Sequence, residues 1–329
     1  MGLEARPVPP NVFAVRMREL RFGAFSRSNK DGAGLELAEF HSLPLAEGLF
    51  GSGPLGVPVG DSAALAESVR MLVARAARPV REATVVLPDA WARSMVIELG
   101  ELPEEPGARL EVLRFRLKRL VPYRVEDLRI EAVPLGVKGV GAGSEESEAP
   151  ADGEAVALSF ITMANAAVCA MVEEAFSRCG IRIGQLSGAT LSTLQALNRG
   201  ALAEGLLGLA LVDADGFSLV LVRAGTPVVW RQKSFTEGLS DADRSRLLTS
   251  ELRLTRTLLG ERFPGEALGA LFLAAPRAVE PFWLQVLGEG LGCAPARLRV
   301  EHLGLTAEGF GDAFAELAPL AGAASREVA

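Results

Sequence analysis

Apolar and polar residues alternate with a period of two over three segments in the first part of the chain, which predicts a β-hairpin or meander. The segments are 12–16, 19–25 and 35–41. A stretch rich in Gly and Pro at 48–60 predicts a loop. Asp61 is placed to cap a helix whose apolar residues recur at helical spacing. This part of the chain is therefore predicted to be an antiparallel sheet followed by a helix.

The middle of the chain contains one strong amphipathic helix among short apolar strands. The helix follows Pro106 and ends before Pro122, and it carries one apolar stripe. The stripe consists of Leu110, Leu113, Leu117, Leu120 and Val121. Strands are predicted at 84–87, 95–99, 128–135 and 155–163. The segment 137–154 is poor in apolar bulk, so it is predicted to be a flexible surface loop that joins the last two strands.

Helices and strands alternate through the second half of the chain. Helices are predicted at 166–179, 189–198, 240–259 and 279–291. Strands are predicted at 208–213, 217–223, 227–230, 270–274 and 297–300. This order predicts an α/β fold with a mixed sheet. For the Ala-rich segment Ala315–Ala324, packing on the domain and a separate interaction helix both stay open.

Size and charge limit the classes of function. The 329 residues predict about two domains, and 34 basic against 41 acidic residues give a net charge of −7. This acidic balance argues against nucleic acid as a partner. The sequence has no apolar run of the ~20 residues that span a bilayer, and 1–11 lack the apolar core of a secretory signal. We therefore expect the chain to stay in the cytoplasm.

Residues for metal or nucleophilic chemistry are few. The chain has three cysteines and two histidines, all widely spaced. Neither His41 nor His302 has neighbours that suggest a zinc site or a catalytic triad. The three thiols are expected to be buried or half-buried. We predict no metal site and no catalytic residue.

The amphipathic helix has an unusual polar face. Basic residues dominate it, namely Arg114, Arg116, Lys118 and Arg119, and Arg124 and Arg129 follow. A solvated basic face and a docking surface for an acidic or extended partner segment are both compatible with this pattern.

Two segments resemble PilM, the actin-like component of type IV pilus assembly, and the related cytoplasmic domain of GspL proteins of type II secretion. The first reads RLEVLRFRLKRLVPYRVEDL at 109–128, where a helix leads into a Pro-aromatic turn and an acidic pair. The strands before it, at 83–88 and 95–99, also resemble those of PilM. The second segment, at 209–235, resembles the family's strand, turn and strand that hold a nucleotide phosphate. The order of elements is similar over about 12–305.

The resemblance implies a fold. It is an actin-like, ribonuclease H-like, two-lobed α/β fold with mixed sheets flanked by helices. It places the lobes at approximately 1–80 and 165–329. A PilM-type subdomain is inserted at 81–164 and contains the loop at 137–154.

The resemblance also implies a phosphate turn, here in degenerate form. The residues that match this turn are Asp213, Asp215, Gly216 and Ser218. Asp-Gly is equally a favoured pair for a tight hairpin. The other two nucleotide elements depart from the family, because Arg16 and Met17 stand in the first turn and Ala274-Ala275 replace a glycine pair. We therefore expect no cofactor, with weak binding of ATP and Mg²⁺ as the alternative.

The resulting hypothesis is a non-catalytic cytoplasmic scaffold of a type IV pilus or related secretion machine. By resemblance it docks the cytoplasmic tail of a PilN-like single-pass protein and contacts motor components. The implied docking residues are Arg116, Arg119, Leu120, Pro122 and Tyr123. It would lie at the cytoplasmic face of the inner membrane through its partners, and self-association stays open. The alternatives are an active actin-like ATPase that uses Asp213 and Asp215, and a truncated GspL-like cytoplasmic domain.

Overall fold

The computed structural model describes residues 10–28, 34–52, 58–99, 102–121, 124–137, 157–197, 205–213, 216–235, 240–303, 310 and 314–325. The strands are β1 (Asn11–Val15), β2 (Glu19–Ser28), β3 (Gly34–Pro44), β4 (Phe50–Ser52), β5 (Pro58–Gly60), β6 (Glu82–Leu87), β7 (Ala92–Leu99), β8 (Leu128–Val137), β9 (Ala157–Asn165), β10 (Arg182–Gly188), β11 (Leu206–Asp213), β12 (Gly216–Arg223), β13 (Thr226–Ser234), β14 (Leu268–Ala274) and β15 (Pro295–Arg297). The helices are α1 (Ser62–Val73), α2 (Pro106–Leu117), α3 (Ala166–Ser177), α4 (Ala189–Leu197), α5 (Asp241–Arg262), α6 (Glu280–Leu291) and α7 (Phe314–Ala324).

Two five-stranded sheets share one topology. Their orders are β3-β2-β1-β6-β10 and β13-β12-β11-β14-β15. In each sheet the first three strands pair antiparallel, and the central strand continues into two parallel neighbours. The same unit of three strands and a parallel pair therefore occurs twice. The predicted two-lobed α/β fold with mixed sheets flanked by helices is confirmed.

Side chains alternate between the two faces of each strand, so the two five-stranded sheets contribute to three hydrophobic clusters. On β1, Phe13 and Val15 pack under α1 and α3, whereas Val12 and Ala14 face the opposite side. That opposite side is a shared core, which also contains Leu209 of the second sheet together with residues of α4 and α7. Helices α5 and α6 cover the outer face of the second sheet. The two lobes are therefore joined through α4 and α7.

The Ala-rich C-terminal segment is part of this shared core. Helix α7 is buried along most of its length and packs on α4. A Cβ atom on Gly322 would overlap the backbone carbonyl oxygen of Ser192. Only a glycine allows the two helix backbones to approach this closely. Of the two readings left open for Ala315–Ala324, packing on the domain is the one found.

The segment between β6 and α3 forms a separate antiparallel sheet, in the order β7-β9-β8. Helix α2 packs on one face of this sheet through Leu113 and Leu117. The other face reaches the second lobe, where the rings of Phe160 and Trp230 are 5.2 Å apart. We call β7, β8, β9 and α2 the insert.

The division into lobes and subdomain stays a prediction, but one boundary needs correction. Strand β6 pairs with β1 and β10, so residues 82–87 belong to the first lobe rather than to the predicted insert at 81–164. In the predicted loop 137–154, residue 137 is the last of β8. The rest of that loop lies outside the described residues.

Other local predictions were partly wrong. The predicted loop at 48–60 contains the short hairpin of β4 and β5, and α2 ends at Leu117 rather than at Pro122. Strand β10 was not predicted, because RIGQLSG lacks both an apolar run and clean alternation. None of the described helices is long and apolar enough to cross a membrane. The described residues also contain no group of His, Cys, Asp or Glu arranged for a metal ion.

Candidate functional site

The cleft between the lobes is crossed by an ion pair. Arg16 directly follows β1 in the first lobe, and its guanidinium contacts the Asp213 carboxylate at the end of β11 in the second lobe. Both side chains are about one-fifth exposed, at 21% and 22%. Burial opposes the charge of Arg16, but the nearby carboxylates of Asp213, Glu19 and Glu316 outweigh it and raise the pKa of the guanidinium. The cation is therefore retained inside the cleft.

A second arginine closes the side of the cleft formed by α7. Arg21 on β2 donates from Nε to the Glu19 carboxylate at 2.7 Å. Its other nitrogens donate to Glu316 of α7, to the backbone oxygen at 2.9 Å and to the carboxylate at 3.1 Å. Helix α7 is thus attached to the first sheet beside Arg16.

Asp89 links the two lobes deeper in the cleft. It follows β6, and its carboxylate accepts hydrogen bonds from the Thr190 amide at 3.0 Å, from the Thr190 hydroxyl and from Ser218 Oγ at 2.7 Å. Gln232 on β13 donates to its backbone oxygen. Burial raises the pKa of Asp89, although the hydrogen bonds from Thr190 and Ser218 oppose that shift. Because Ser218 and Gln232 belong to the second lobe, Asp89 is a cross-lobe acceptor.

The residues predicted as a phosphate turn are engaged in protein contacts. Asp213 contacts Arg16, and Ser218 donates to Asp89. A Cβ atom on Gly216 would overlap the Lys233 backbone oxygen, so close strand pairing accounts for this glycine. Asp215 lies outside the described residues.

The cavities that the described residues form between the lobes are small. One cavity of about 40 Å³ is lined by Arg16, Asp213, Pro276 and Glu316 among others, and another of about 20 Å³ is lined by Asp89 and Ser218. Ligand pockets usually measure about 300–1,000 Å³. The predicted replacements Ala274 and Ala275 are both buried at this end of β14. In the geometry described, the cleft has room for a few waters rather than for a nucleotide.

A much larger space lies between the first lobe and the insert. This insert groove has a volume of about 440 Å³. Its walls include Arg129 and Glu131 of β8, Thr162 of β9 and Glu173 of α3, and six consecutive residues of β10, 183–188. Side chains of a strand alternate between its two faces. A run of six consecutive residues therefore means that the edge of β10, rather than one face, borders the groove.

Polar side chains line both sides of the groove, with Arg129 and Thr162 on the insert and Glu173 and Gln185 on the first lobe. Arg129 donates from Nη2 to the Glu173 carboxylate at 2.8 Å. Both side chains are nearly half exposed, so this pair contributes little to stability. The Cys169 thiol lines the groove on α3, as Glu173 does. Burial raises the pKa of this thiol, and the Arg129 charge opposes that shift. The thiol is therefore neutral near pH 7 and behaves as a small apolar group.

The residues predicted to dock a partner lie on the opposite side of the insert. Ile130 and Ile161 face α2, so their neighbours Arg129 and Thr162 point to the groove face of the sheet. The predicted residues Arg116, Arg119 and Leu120 are exposed on the α2 side and do not line the groove. Pro122 and Tyr123 lie outside the described residues.

Sequence reasoning identified neither Asp89 nor the groove. For Asp89 the available signal was an acidic residue two positions after a mostly buried strand, in VVLPD. Its partners at 190 and 218 are more than 100 residues away in the chain. The groove had no signal, because it is formed by strand edges that pairing alone determines.

Among the solved structures that are similar to this chain, one with a TM-score above 0.5 matches nearly the whole chain. It is the PilM-PilN type IV pilus biogenesis complex, with 18% identity, coverage of 98% of this chain and 99% of that chain, and a TM-score of 0.72. The chain has the fold that the PilM resemblance implied. No protein-family model and no curated protein sequence matches it.

Two further structures are similar at lower scores. The cytoplasmic domain of EpsL, an inner-membrane component of the Vibrio cholerae type II secretion system, is 12% identical over 81% of this chain and 82% of that chain, with a TM-score of 0.42. A Bacteroides thetaiotaomicron protein with an actin-like ATPase fold and unknown function is 8% identical over 88% of this chain and 90% of that chain, with a TM-score of 0.47.

Proposed function

We propose that this chain is a non-catalytic scaffold of a type IV pilus or related secretion machine, and that it docks the cytoplasmic tail of a PilN-like single-pass membrane protein. The observation that carries the proposal is the contrast in open space. The insert groove measures about 440 Å³, whereas the two cleft cavities measure about 40 and 20 Å³. The similar PilM structure was solved as a complex with PilN. Docking would hold the chain at the cytoplasmic face of the inner membrane, where motor components can reach it.

The groove suits an extended segment of the partner. Strand β10 is the last strand of the first sheet among the described residues, so its outer edge carries unpaired backbone N–H and C=O groups. An extended peptide can pair with such an edge, and its side chains then alternate between the groove and solvent. The Arg129–Glu173 pair and Glu131 offer both signs of charge at the wall. We propose that pairing with β10 supplies affinity and that these charges select the sequence.

We further propose that no nucleotide is needed. The Arg16 guanidinium already neutralises Asp213, which is the carboxylate that would otherwise organise Mg²⁺ at the predicted phosphate turn. Ser218 already donates to Asp89. An active ATPase remains the alternative, and it requires that the lobes separate and that both contacts break.

The experiment is titration calorimetry of the full chain with a synthetic peptide. The peptide is the cytoplasmic tail of a PilN-like single-span membrane protein. Ala164 lines the groove, so Ala164→Trp should fill it and weaken binding by at least about tenfold. Val133 lies on the same sheet, is 56% exposed and does not line the groove, so Val133→Trp is the matched control.

A second readout tests the binding mode. Peptide binding should slow hydrogen exchange of backbone amides in 183–188. Loss of affinity in Arg116→Glu/Arg119→Glu, with Ala164→Trp unaffected, would move the docking site to the predicted residues on the α2 side. Absence of binding to the wild-type chain would contradict the docking proposal itself.

A further inference from the structure

Helix α2 and the turn that follows it expose two apolar side chains among basic residues. Phe115 is 69% exposed, which makes it the most exposed large apolar residue of the described chain, and Leu120 is 53% exposed. Phe115 lies on the face of α2 opposite to Leu113 and Leu117, which are buried in the insert. Arg116, Lys118 and Arg119 lie beside these apolar side chains, are exposed, and form no ion pair within the described part of the chain. We call these five residues the α2 patch.

The charge of this segment is opposite to that of the whole chain. Residues 106–124 contain six basic residues and one acidic residue, whereas the chain has a net charge of −7. Helix α5 with its cap provides a comparison, because it also exposes an apolar side chain, Leu254 at 52%, next to arginines. There, residues 240–262 contain five basic and four acidic residues, so the charges nearly cancel. The α2 region therefore carries a larger excess of positive charge than α5 does.

We infer that the α2 patch binds directly to the surface of a membrane that contains anionic lipid. Such surfaces attract clustered Lys and Arg, and a flanking aromatic or aliphatic side chain enters the boundary between headgroups and acyl chains. The interface of a bilayer is a preferred position for arginine side chains, whose apolar stems lie along the lipid while the guanidinium contacts phosphate. This inference does not depend on the docking proposal, which concerns the opposite face of the insert.

The shape of the patch favours lipid over an acidic peptide. In a protein–peptide interface, an aromatic anchor of either partner normally lies in a desolvated pocket of the other partner. None of the three cavities described above includes a residue of α2. Phe115 instead projects from a convex helix surface, where a fluid lipid surface can surround it and a folded or extended peptide cannot. Lipid contact would also explain why apolar and basic side chains are interleaved here.

The test is co-sedimentation of the purified full chain, without any partner, with vesicles. One set contains phosphatidylglycerol and phosphatidylcholine in a one-to-two ratio, and the other contains phosphatidylcholine alone. We expect binding to the anionic vesicles only, and weakening as salt shortens the screening length. Arg116→Glu/Arg119→Glu should weaken binding by about a hundredfold or more, at about fivefold for each unit of charge. Phe115→Ser should weaken it by about tenfold.

The matched controls lie on α5. Arg253→Glu/Arg256→Glu and Leu254→Ser also change exposed residues and should leave vesicle binding within about twofold, because this surface is nearly neutral overall. All variants should keep the wild-type unfolding midpoint, since the substituted side chains are exposed.

Three results would overturn the inference. One is no binding to the anionic vesicles at low salt. Another is an equal loss of vesicle affinity in the α2 and α5 charge variants, which would indicate only a general effect of net charge. The third is binding that Phe115→Ser leaves unchanged and that soluble poly-glutamate displaces, which would identify the patch as a site for acidic peptides.

Discussion

The interlobe cleft and the insert groove are both bordered by the first lobe, yet their walls differ. In the cleft the walls touch through charged and hydrogen-bonded side chains, namely Arg16 with Asp213, and Asp89 with Thr190 and Ser218. In the groove the walls stay apart, and one of them is the free edge of β10. The cleft is therefore an internal interface between the lobes, whereas the groove is a surface open to a partner. Substitutions in the cleft should therefore cost stability, and substitutions in the groove should cost binding.

The largest effect is expected where α7 meets α4 beside the cleft. Gly322→Ala places a methyl group against the Ser192 carbonyl, so the helices must separate. We expect the free energy of unfolding to fall by about 3 kcal/mol or more. Gly260→Ala on α5 is the control, because nothing lies within 4 Å of the added carbon, and it should stabilise slightly. Urea unfolding measures both, and equal midpoints would contradict the role given to α7.

Asp89→Ala tests the half-buried acceptor that joins the lobes. The substitution leaves the Thr190 amide and the Thr190 and Ser218 hydroxyls without their acceptor. The expected loss is about 2 kcal/mol in the free energy of unfolding. Asp127→Ala removes a carboxylate that is 56% exposed and should change it by less than about 0.5 kcal/mol. A loss no larger than that of the control would mean that the cleft is not an interface.

Arg16→Met keeps most of the side-chain bulk but removes the charge next to Asp213. Because the pair is only about one-fifth exposed, we expect a loss of about 1–2 kcal/mol, less than for a fully buried pair. Arg70→Met at the exposed Arg70–Glu67 pair should cost less than about 0.5 kcal/mol. Arg16→Met should not gain affinity for nucleotide, because Ala274 and Ala275 still stand where the family has a glycine pair.

A smaller, pH-dependent effect is expected from Asp89. Burial raises its pKa, so the folded chain binds this proton more tightly than the unfolded chain does. Its favourable contribution is then fully present below the unfolded pKa of about 3.9 and is lost as pH rises through the folded pKa. Asp89→Asn does not titrate, so its stability relative to wild type should increase between pH 4 and pH 7. A constant difference would show that the Asp89 pKa is not raised.

The smallest stability effect is expected in the groove. Arg129→Met breaks the half-exposed pair with Glu173 and should change the free energy of unfolding by less than about 0.5 kcal/mol. Affinity for the tail peptide should nevertheless change severalfold if this wall selects the partner sequence. A large stability loss with unchanged affinity would reverse the assignment of groove and cleft.

The sequence predicted individual helices and strands more successfully than it predicted which strands pair. Asp61 caps α1 as predicted, because capping is decided within a few residues. The missed strand β10 owes its conformation to β6, a partner about 100 residues away. The shared topology of the two five-stranded sheets was also not predicted, since equivalent strands of the two sheets differ in sequence.

For the site, the sequence indicated that the nucleotide motifs are degenerate, but not which side chains contact each other across the cleft. The bulky residue Arg16 in the first turn was evident, whereas its pairing with Asp213 required the fold. Gly216 was assigned to a phosphate turn, but contact with Lys233 explains it. The insert groove depends on how a sheet and a strand edge are placed, and no local pattern encodes that arrangement.

Titration calorimetry of the purified chain with ATP and Mg²⁺ tests the central claim that the cleft is an interface rather than a nucleotide site. Asp213→Ala is the control variant. We expect no heat of binding at millimolar nucleotide for either protein. Micromolar binding by the wild-type chain that Asp213→Ala abolishes would contradict it, and would show that the lobes open to admit a nucleotide.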